Sequence, residues 1–348
     1  MKTKQKIWIF TFFLMGIMPL LLTTGCSKSD DNGGSSSGNG WSALGNKDDL
    51  NNVFDIYVDK SGYLYAVGDF KNSNGKRYVA KWDGSKWSEV GNINVNNTVY
   101  AIAGDANGNL YIGGDYTDAN GVNYIEKWNG STWTNIGNYA DAQAATLCTD
   151  PSGMLYESCN SSDVYKYNGT TWSKLNMTGW SHWVNTVVTD PNGNLYIGGG
   201  ALTGSGGSVG RWNGSGWTTI GDLTSHEQVH TICFDANGTL YAGGGFVFTS
   251  GYVVKWNGSS WVDLNLKGND VVNSICTDSK GNLYAGGNFY NSSNQFYVAK
   301  WNGSSWSNMG LNAYAGILKL RCSNGKLYVG GELCFKLNDG FYIASTNL

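Results

Sequence analysis

VYAIAGDANGNLYIGGD, residues 99–115, reads as two short strands around one turn. Val99, Ala101 and Ala103 alternate with their neighbours, as a half-buried strand requires. Asp105-Ala-Asn-Gly108 supplies turn residues, and Leu110-Tyr-Ile-Gly-Gly114 forms the returning strand. A second unit follows, KWNGSTWTNIG (127–137), in which Asn129-Gly130 sits between two Trp residues. Asn-Gly between alternating apolar residues is the strongest short-range hairpin signal.

Both units recur. The Leu-Tyr pair falls at 64–65, 110–111, 155–156, 195–196, 240–241, 283–284 and 327–328, seven copies spaced by 40 to 46 residues. The Trp hairpin returns as KWDGSKWSEVG from Lys81, RWNGSGWTTIG from Arg211 and KWNGSSWSNMG from Lys300, with variants from Lys166 and Lys255. Two hairpins per repeat make four strands (a to d), and four strands in about 40–45 residues make one propeller blade. The ends agree with this reading. The seventh repeat stops after its strand c, FYIAST at 341–346, while Trp41-Ser-Ala-Leu-Gly45 is an orphan strand d. Joining them closes the ring and hides the sheet edges that would otherwise pair with other chains. The expected fold is all-β: a seven-bladed β-propeller over residues 41–348, four antiparallel strands per blade, the last closed by the N-terminal strand.

Composition suits that fold and excludes some partners. Of 348 residues, 50 are Gly and 3 are Pro, and aromatic residues reach 14%. Charged residues are also 14%, with 23 basic and 26 acidic side chains. A net charge of −3 without a basic stripe argues against nucleic acid as a partner.

Residues 1–25 read as an address. Lys2, Lys4 and Lys6 precede an apolar run from Ile7 to Leu22, and Thr23-Thr24-Gly25 gives small residues for cleavage. Cys26 then resembles the acylated cysteine of a bacterial lipobox, with Thr23 where Leu is commonest. That resemblance implies a lipoprotein signal peptide and a membrane anchor of acyl chains, palmitate among them, on Cys26. Residues 26–40 form a Gly/Ser/Asn tether, and 14 such residues span roughly 20 Å. Its acidic start, Ser27 to Asn32, resembles the export tag of Bacteroidetes-type surface lipoproteins. The resemblance implies the outer face of the outer membrane, with a periplasm-facing anchor as the alternative.

The repeats resemble those of kelch, NHL and tectonin-type propellers and of bacterial surface proteins with serial WDG-W units, over nearly all of residues 41–346. This resemblance implies the fold, and leaves activity open because propellers host many.

Repeated residues carry two readings each. Twelve of the 15 Trp stand at equivalent blade positions from Trp41 to Trp306. They either pack over neighbouring blades or present a ring of sugar-stacking sites. Asp59, Asp105, Asp150, Asp190, Asp235 and Asp278 each precede a Gly by three positions. They fit turn-holding carboxylates better than calcium ligands, which need more oxygens. A Lys or Arg before the first Trp of six blades predicts an intrablade Lys–Asp pair, as between Lys127 and Asp105. Cys148, Cys233, Cys276 and Cys322 read as one strand-a position in different blades, too far apart for disulfides; Cys159 and Cys334 do not alter that.

Residues that break the pattern mark the candidate site. His226-Glu227-Gln228-Val229-His230 matches the H-E-x-x-H string, but that motif ligates zinc only from a helix, and Val229 to Asp235 aligns with a strand. His182, His226 and His230, all the His of the chain, lie at the connections entering blades four and five, and Trp180 and Trp183 flank His182. Trp180, His182, Trp183, His226, Glu227 and His230 are therefore the expected ligand-binding residues. They would form an aromatic platform with polar partners for a glycan or peptide; a His/Glu metal site and loop packing without a ligand are the alternatives. No cofactor and no catalytic residue is expected, since no nucleophile elbow, phosphate loop or carboxylate pair is legible. The functional expectation is a surface-tethered module binding carbohydrate or another extracellular ligand. A glycan hydrolase or lyase drawing on loop carboxylates (Asp48, Asp49, Asp141, Asp222, Glu227, Asp270) and a protein-docking scaffold are the alternatives.

Overall fold

The computed structural model describes residues 36–37, 40–45, 50–93, 95–137, 143–159, 162–180, 182–201, 207–221, 223, 228–248, 251–268, 270–331 and 342–348. Of these, the side chains of residues 36, 37, 182, 201 and 246–248 are not included. The signal, Cys26 and most of the tether lie outside the described residues, as do His226, Glu227 and Cys334.

Seven antiparallel sheets make a seven-bladed β-propeller with no helix among the described residues. The innermost strands a are Val53–Val58, Val99–Gly104, Ala144–Thr149, His182–Thr189, Val229–Phe234, Val272–Thr277 and Ile317–Ser323. Each touches the next, and the seventh touches the first, so they enclose a central channel. In blade two, strand a is followed outward by strands b (Leu110–Gly114), c (Glu126–Trp128) and d (Trp133–Asn135). Blade seven takes its strand d, Trp41–Ala43, from the other end of the chain, paired through Ser42–Ser345 and Ala43–Ala344. Ser36 and Ser37 of the tether add a fifth strand there, opposite Ser42 and Trp41.

The inner edges of strands a would leave backbone groups unpaired around the channel, and the sequence supplies partners. One residue row accepts from the next blade: the Ile102 N–H donates to Asp55 Oδ2, Ile275 N–H to Thr231 Oγ1 and Leu320 N–H to Ser274 Oγ. A second row donates to the previous blade: Thr149 Oγ1 to the Gly104 carbonyl, Thr189 to Thr149 and Thr277 to Phe234. Polar residues on these channel strands are thus interblade clasps.

The outer seams are held by Trp. The second Trp of each blade sends its indole N–H backwards: Trp87 to the Leu44 carbonyl, Trp133 to Val90, Trp172 to Ile136, Trp261 to Ile220, Trp306 to Leu264 and Trp41 to Met309, at 2.7–2.9 Å. Trp217 alone finds sulfur, Met177 Sδ at 3.2 Å. Gly91 and Gly221 are the shelves on which the next blade's Trp pair rests, since a Cβ at Gly91 would lie 2.4 Å from Trp128. Packing is therefore the role the repeated indoles fulfil.

The recurring Asp is a four-bond turn clamp. Asp105 Oδ1 accepts the N–H of Asn107 and Asn109, while Oδ2 accepts the Asn109 amide at 2.6 Å and the Tyr111 hydroxyl at 3.0 Å. Asp278 repeats the set with Lys280, Asn282 and Tyr284. The lone pairs that would bind calcium are taken by the chain itself. This explains the spacing Asp-x-x-Gly-Asn-Leu-Tyr: the Tyr six residues on closes the clamp. The expected Lys–Asp pairs do not form among the described residues. Instead the cation sits over the Tyr ring, with Lys127 Nζ 5.6 Å from the Tyr111 centroid, Lys300 5.6 Å from Tyr284 and Lys255 6.0 Å from Tyr241. The ring lies between the two charges because its hydroxyl already holds the carboxylate. Burial, and then the adjacent Asp235 carboxylate, push the Tyr241 phenol up to about 12. Asp105→Ala should cost about 2–3 kcal/mol, as charged hydrogen bonds vanish and the Tyr111 hydroxyl is left unpaired. Ultraviolet titration should also find the Tyr111 phenol moved down toward its ordinary value. An unchanged phenol would contradict the clamp.

The cysteines also need one correction. Cys148, Cys233 and Cys276 stand opposite the Tyr of strand b, at Tyr156, Tyr241 and Tyr284. Cys322 stands opposite Leu327, and Arg321 takes the equivalent place opposite Tyr328. Blade seven lacks the Asp turn and reverses through Asn324-Gly325, so counting back from its Leu-Tyr pair runs one residue out. All five described cysteines are free thiols.

Candidate functional site

Every strand a carries the same bulge near its start. The pairing with strand b skips one residue between Val53 and Asp55, Val99 and Ala101, Ala144 and Thr146, Val184 and Thr186, Val229 and Thr231, Val272 and Ser274, and Ile317 and Lys319. A bulge re-aims its extra residue, and bulges gather at barrel rims and functional sites. Here it sets Phe54, Tyr100, Ala145, Asn185, His230, Asn273 and Leu318 in a circle at one end of the channel, all half-buried. The core row just before it is Val in five blades, with Ala144 and Ile317 in the others, and the core row from Ile56 to Leu320 holds only Val, Ile and Leu, whereas this row holds Phe, Tyr, Ala, Asn, His, Asn and Leu.

Neighbours in the circle touch. The Phe54 and Tyr100 rings meet edge to face at 5.4 Å. The Asn185 amide donates to the Val229 carbonyl at 3.0 Å and to Gln228 Oε1 at 2.9 Å. Asn273 donates to the Ile317 carbonyl and to Asn288 Oδ1. His230 hydrogen-bonds with Asn273, yet burial holds its pKa down to about 4, so the imidazole is neutral at physiological pH.

The b–c loops of blades one and two add a charged sector, joined by Gln143 at the entry to blade three. The Arg77 guanidinium ion-pairs with Asp69, and Thr98 Oγ1 stands 3.4 Å from both. Asp115 accepts from the Gln143 amide and, at 2.9 Å, from Asn97 Nδ2. Burial raises the Asp115 carboxyl above its ordinary value despite opposition from Gln143, Arg77 and Asn97. Burial and then Asp115 likewise raise the Tyr100 phenol. Among the described residues, Arg77 Nε and Gln143 Oε1 find no hydrogen-bond partner. Two aromatic rings, two carboxylates, a guanidinium and amides thus converge on one mouth.

Of the residues expected from sequence, those described stand in different surroundings, while His226 and Glu227 lie outside the described residues. Trp180 is only 6% exposed, in the core between blades three and four with Leu175, Val184 and Trp217. It lies over Gly210, where a Cβ would stand 2.9 Å from its ring. Trp180 is therefore a packing residue, because the blade-three exit loop turns inward at Gly179 instead of out to solvent. Trp183 and His182 lie on strand a of blade four, opposite Gly200 and Ala201. His230 belongs to the circle, on a strand as the repeat alignment requires. Among the described residues no group of three His, Cys, Asp or Glu could hold a metal ion. Sequence reading missed Phe54, Asp69, Arg77, Tyr100, Asp115 and Gln143. The available signal was columnar: the residue after the Leu-Tyr-x-x-Gly strand is acidic as Asp69, Asp115 and Glu332 but is Gly200, Gly245 and Asn288 in the other copies.

Comparison with known proteins supports the fold alone. A family model described as a two-component regulator propeller matches residues 95–116. No curated protein matches the chain. Among solved structures, virginiamycin B lyase from Staphylococcus aureus superposes with a TM-score of 0.65 at 9% identity, over 88% of this chain and 98% of that one. YCF48 bound to D1 peptide gives 0.61 at 13% identity, over 93% and 99%. The extracellular domain of a one-component system from B. thetaiotaomicron gives 0.60 at 14% identity, over 88% of this chain and 40% of that chain.

Proposed function

We propose that this chain is a surface-displayed binding module, tethered through acylated Cys26, that captures an extracellular carbohydrate at the channel mouth. One observation carries the reading: a backbone bulge repeated in all seven blades holds a circle of divergent side chains at one rim of an otherwise repetitive ring. The chemistry in that circle suits sugars. Carboxylates, amides and a guanidinium bond pairs of hydroxyls, and the Phe54–Tyr100 pair offers rings for the apolar face of a pyranose. His230 contributes as a neutral hydrogen-bonding group. Similarity in fold to the extracellular domain of a one-component system is consistent with display outside the cell. The sugar-stacking reading of the repeated Trp is less favoured, because their indole N–H groups are spent on interblade bonds.

The test is a glycan array probed with soluble residues 27–348 and with Tyr100→Ala and Asp115→Ala variants. The expected result is selective binding that each variant weakens about tenfold or more, a loss of roughly 1.4 kcal/mol. Binding that both variants keep would move the site off the mouth. No glycan binding at all would favour the protein-docking alternative.

A further inference from the structure

Neighbouring strands a meet across their seams through two facing rows of side chains. The first row stands opposite the Tyr of strand b and packs forward, into the core shared with the next blade, as Tyr57, Cys233 and Cys276 do. The second row, one residue further along the strand, faces back. Thr149 and Thr277 belong to it and reach the carbonyls of Gly104 and Phe234 in the preceding blade. The two rows touch: a Cβ at Gly104, in the second row of blade two, would stand 2.4 Å from the Tyr57 ring, in the first row of blade one.

Blade seven brings a second cysteine into this arrangement. Its first-row residue is Arg321, opposite Tyr328, so Cys322 falls in the second row and faces back at blade six. The residue it meets there is Cys276, as Gly104 meets Tyr57. Cys276 is 8% exposed, and Cys322 packs against the same core cluster, with Trp41, Tyr284 and Leu320. The Cys322 S–H donates to the Cys276 sulfur. Equivalent positions in different blades are held apart by the width of a seam, but these two thiols belong to facing rows of adjacent blades.

The geometry points to Cys276 and Cys322 as the site of an interblade disulfide, made by exchange with a disulfide oxidant. The Cys322 thiolate attacks the oxidant's S–S bond and releases one thiol. The Cys276 thiolate then attacks the mixed disulfide at the Cys322 sulfur and releases the second. Two S–H bonds become one S–S bond, and two electrons and two protons leave with the oxidant as its two thiols. Burial, and then the neighbouring Cys276, raise the Cys322 thiol, so the docked pair is a poor nucleophile. The bond therefore forms as blade seven closes on blade six, before burial is complete. It ties the inner end of a seam whose outer end is held by the Trp41 indole on the Met309 carbonyl. The pairing rests on the two rows alone. A supply of oxidant in the cell rests on the export reading of residues 1–25, so the experiment provides its own.

Soluble residues 27–348 are refolded from urea with oxidised and reduced glutathione, alkylated in denaturant and digested with trypsin. Trypsin releases Cys276 within residues 268–280 and Cys322 within residues 322–326, each as the sole cysteine of its peptide. The expected product is these two peptides joined by a disulfide. Oxidised protein should melt about 5 °C or more above the same protein held in a phosphine reductant, because the cross-link constrains the unfolded chain. Cys276→Ser and Cys322→Ser should each abolish this difference, whatever their own Tm, and Cys233→Ser should keep it. Recovery of both thiols alkylated or capped by glutathione overturns the proposal, as does a linkage from either one to any other cysteine.

Discussion

Trp41→Ala should lower the unfolding free energy by about 3–5 kcal/mol, the range for truncating a fully buried Trp. Trp41 is 1% exposed and packs in the core shared by blades six and seven. It is also the first residue of the strand that closes the ring. Its indole N–H bonds the Met309 carbonyl of blade six, and the Leu44 N–H bonds Ile343 within blade seven. The Leu44 carbonyl in turn accepts from Trp87 of blade one. One short segment thus ties three blades, and its loss exposes two seams together. Urea unfolding at fixed pH is the measurement, with Trp306→Ala as the internal comparison. Trp306 is half-buried, so its truncation should cost clearly less. Equal costs would mean that closure rests elsewhere than on the N-terminal strand.

Stability should also fall as pH rises from about 5 to 8, and Glu157→Gln should remove most of that fall. Glu157 is 0% exposed, at the strand-b position where other blades place Ala66, Ile112, Ile197, Ala242, Ala285 and Val329. Its Oε1 accepts from Cys159 Sγ at 3.6 Å, and among the described residues its Oε2 has no hydrogen-bond partner. Burial therefore raises the carboxyl from 4.5 to about 8. A carboxyl with a raised folded-state pKa favours the folded protein fully below its unfolded value and loses that contribution as pH climbs to the folded value. The window is thus pH 4.5 to 8, and the loss is on the order of 3–5 kcal/mol at about 1.4 kcal/mol per unit. Glu126, raised by burial to about 7, deepens the same slope. Thermal unfolding of the wild type and of Glu157→Gln at pH 5, 6.5 and 8 reads this directly. The variant should be the more stable protein at pH 8. A wild-type profile that is flat or rises over this window would show that the Glu157 carboxyl is not held protonated.

The blades were legible because each repeats a local code. Asp105, Gly108 and Tyr111 need one another across a single turn, and Asn129-Gly130 between Trp128 and Trp133 needs only its own hairpin. Closure was legible too, because Trp41 is a strand d without a strand c before it. The mouth was not. Its circle depends on a one-residue skip in pairing, which leaves the strand sequence unchanged and cannot be seen before the register is known. Trp180 misled for a related reason. An aromatic residue outside the repeat register reads as a loop residue, whereas Gly210, 30 residues on, provides the space that draws it into the core. Lys127 and Asp105 do lie at one end of the blade, as expected, but the Tyr111 ring stands between them.

Hydrogen exchange of soluble residues 27–348, with and without the best glycan from the array, tests the central claim most directly. Bulges leave amides outside the pairing ladder, so the mouth has exchangeable protons for a ligand to slow. The account predicts slowing at residues 97–101, 114–117 and 229–231. Slowing confined to the Asp turns or to the outer Trp hairpins, with the bulges unchanged, would contradict it.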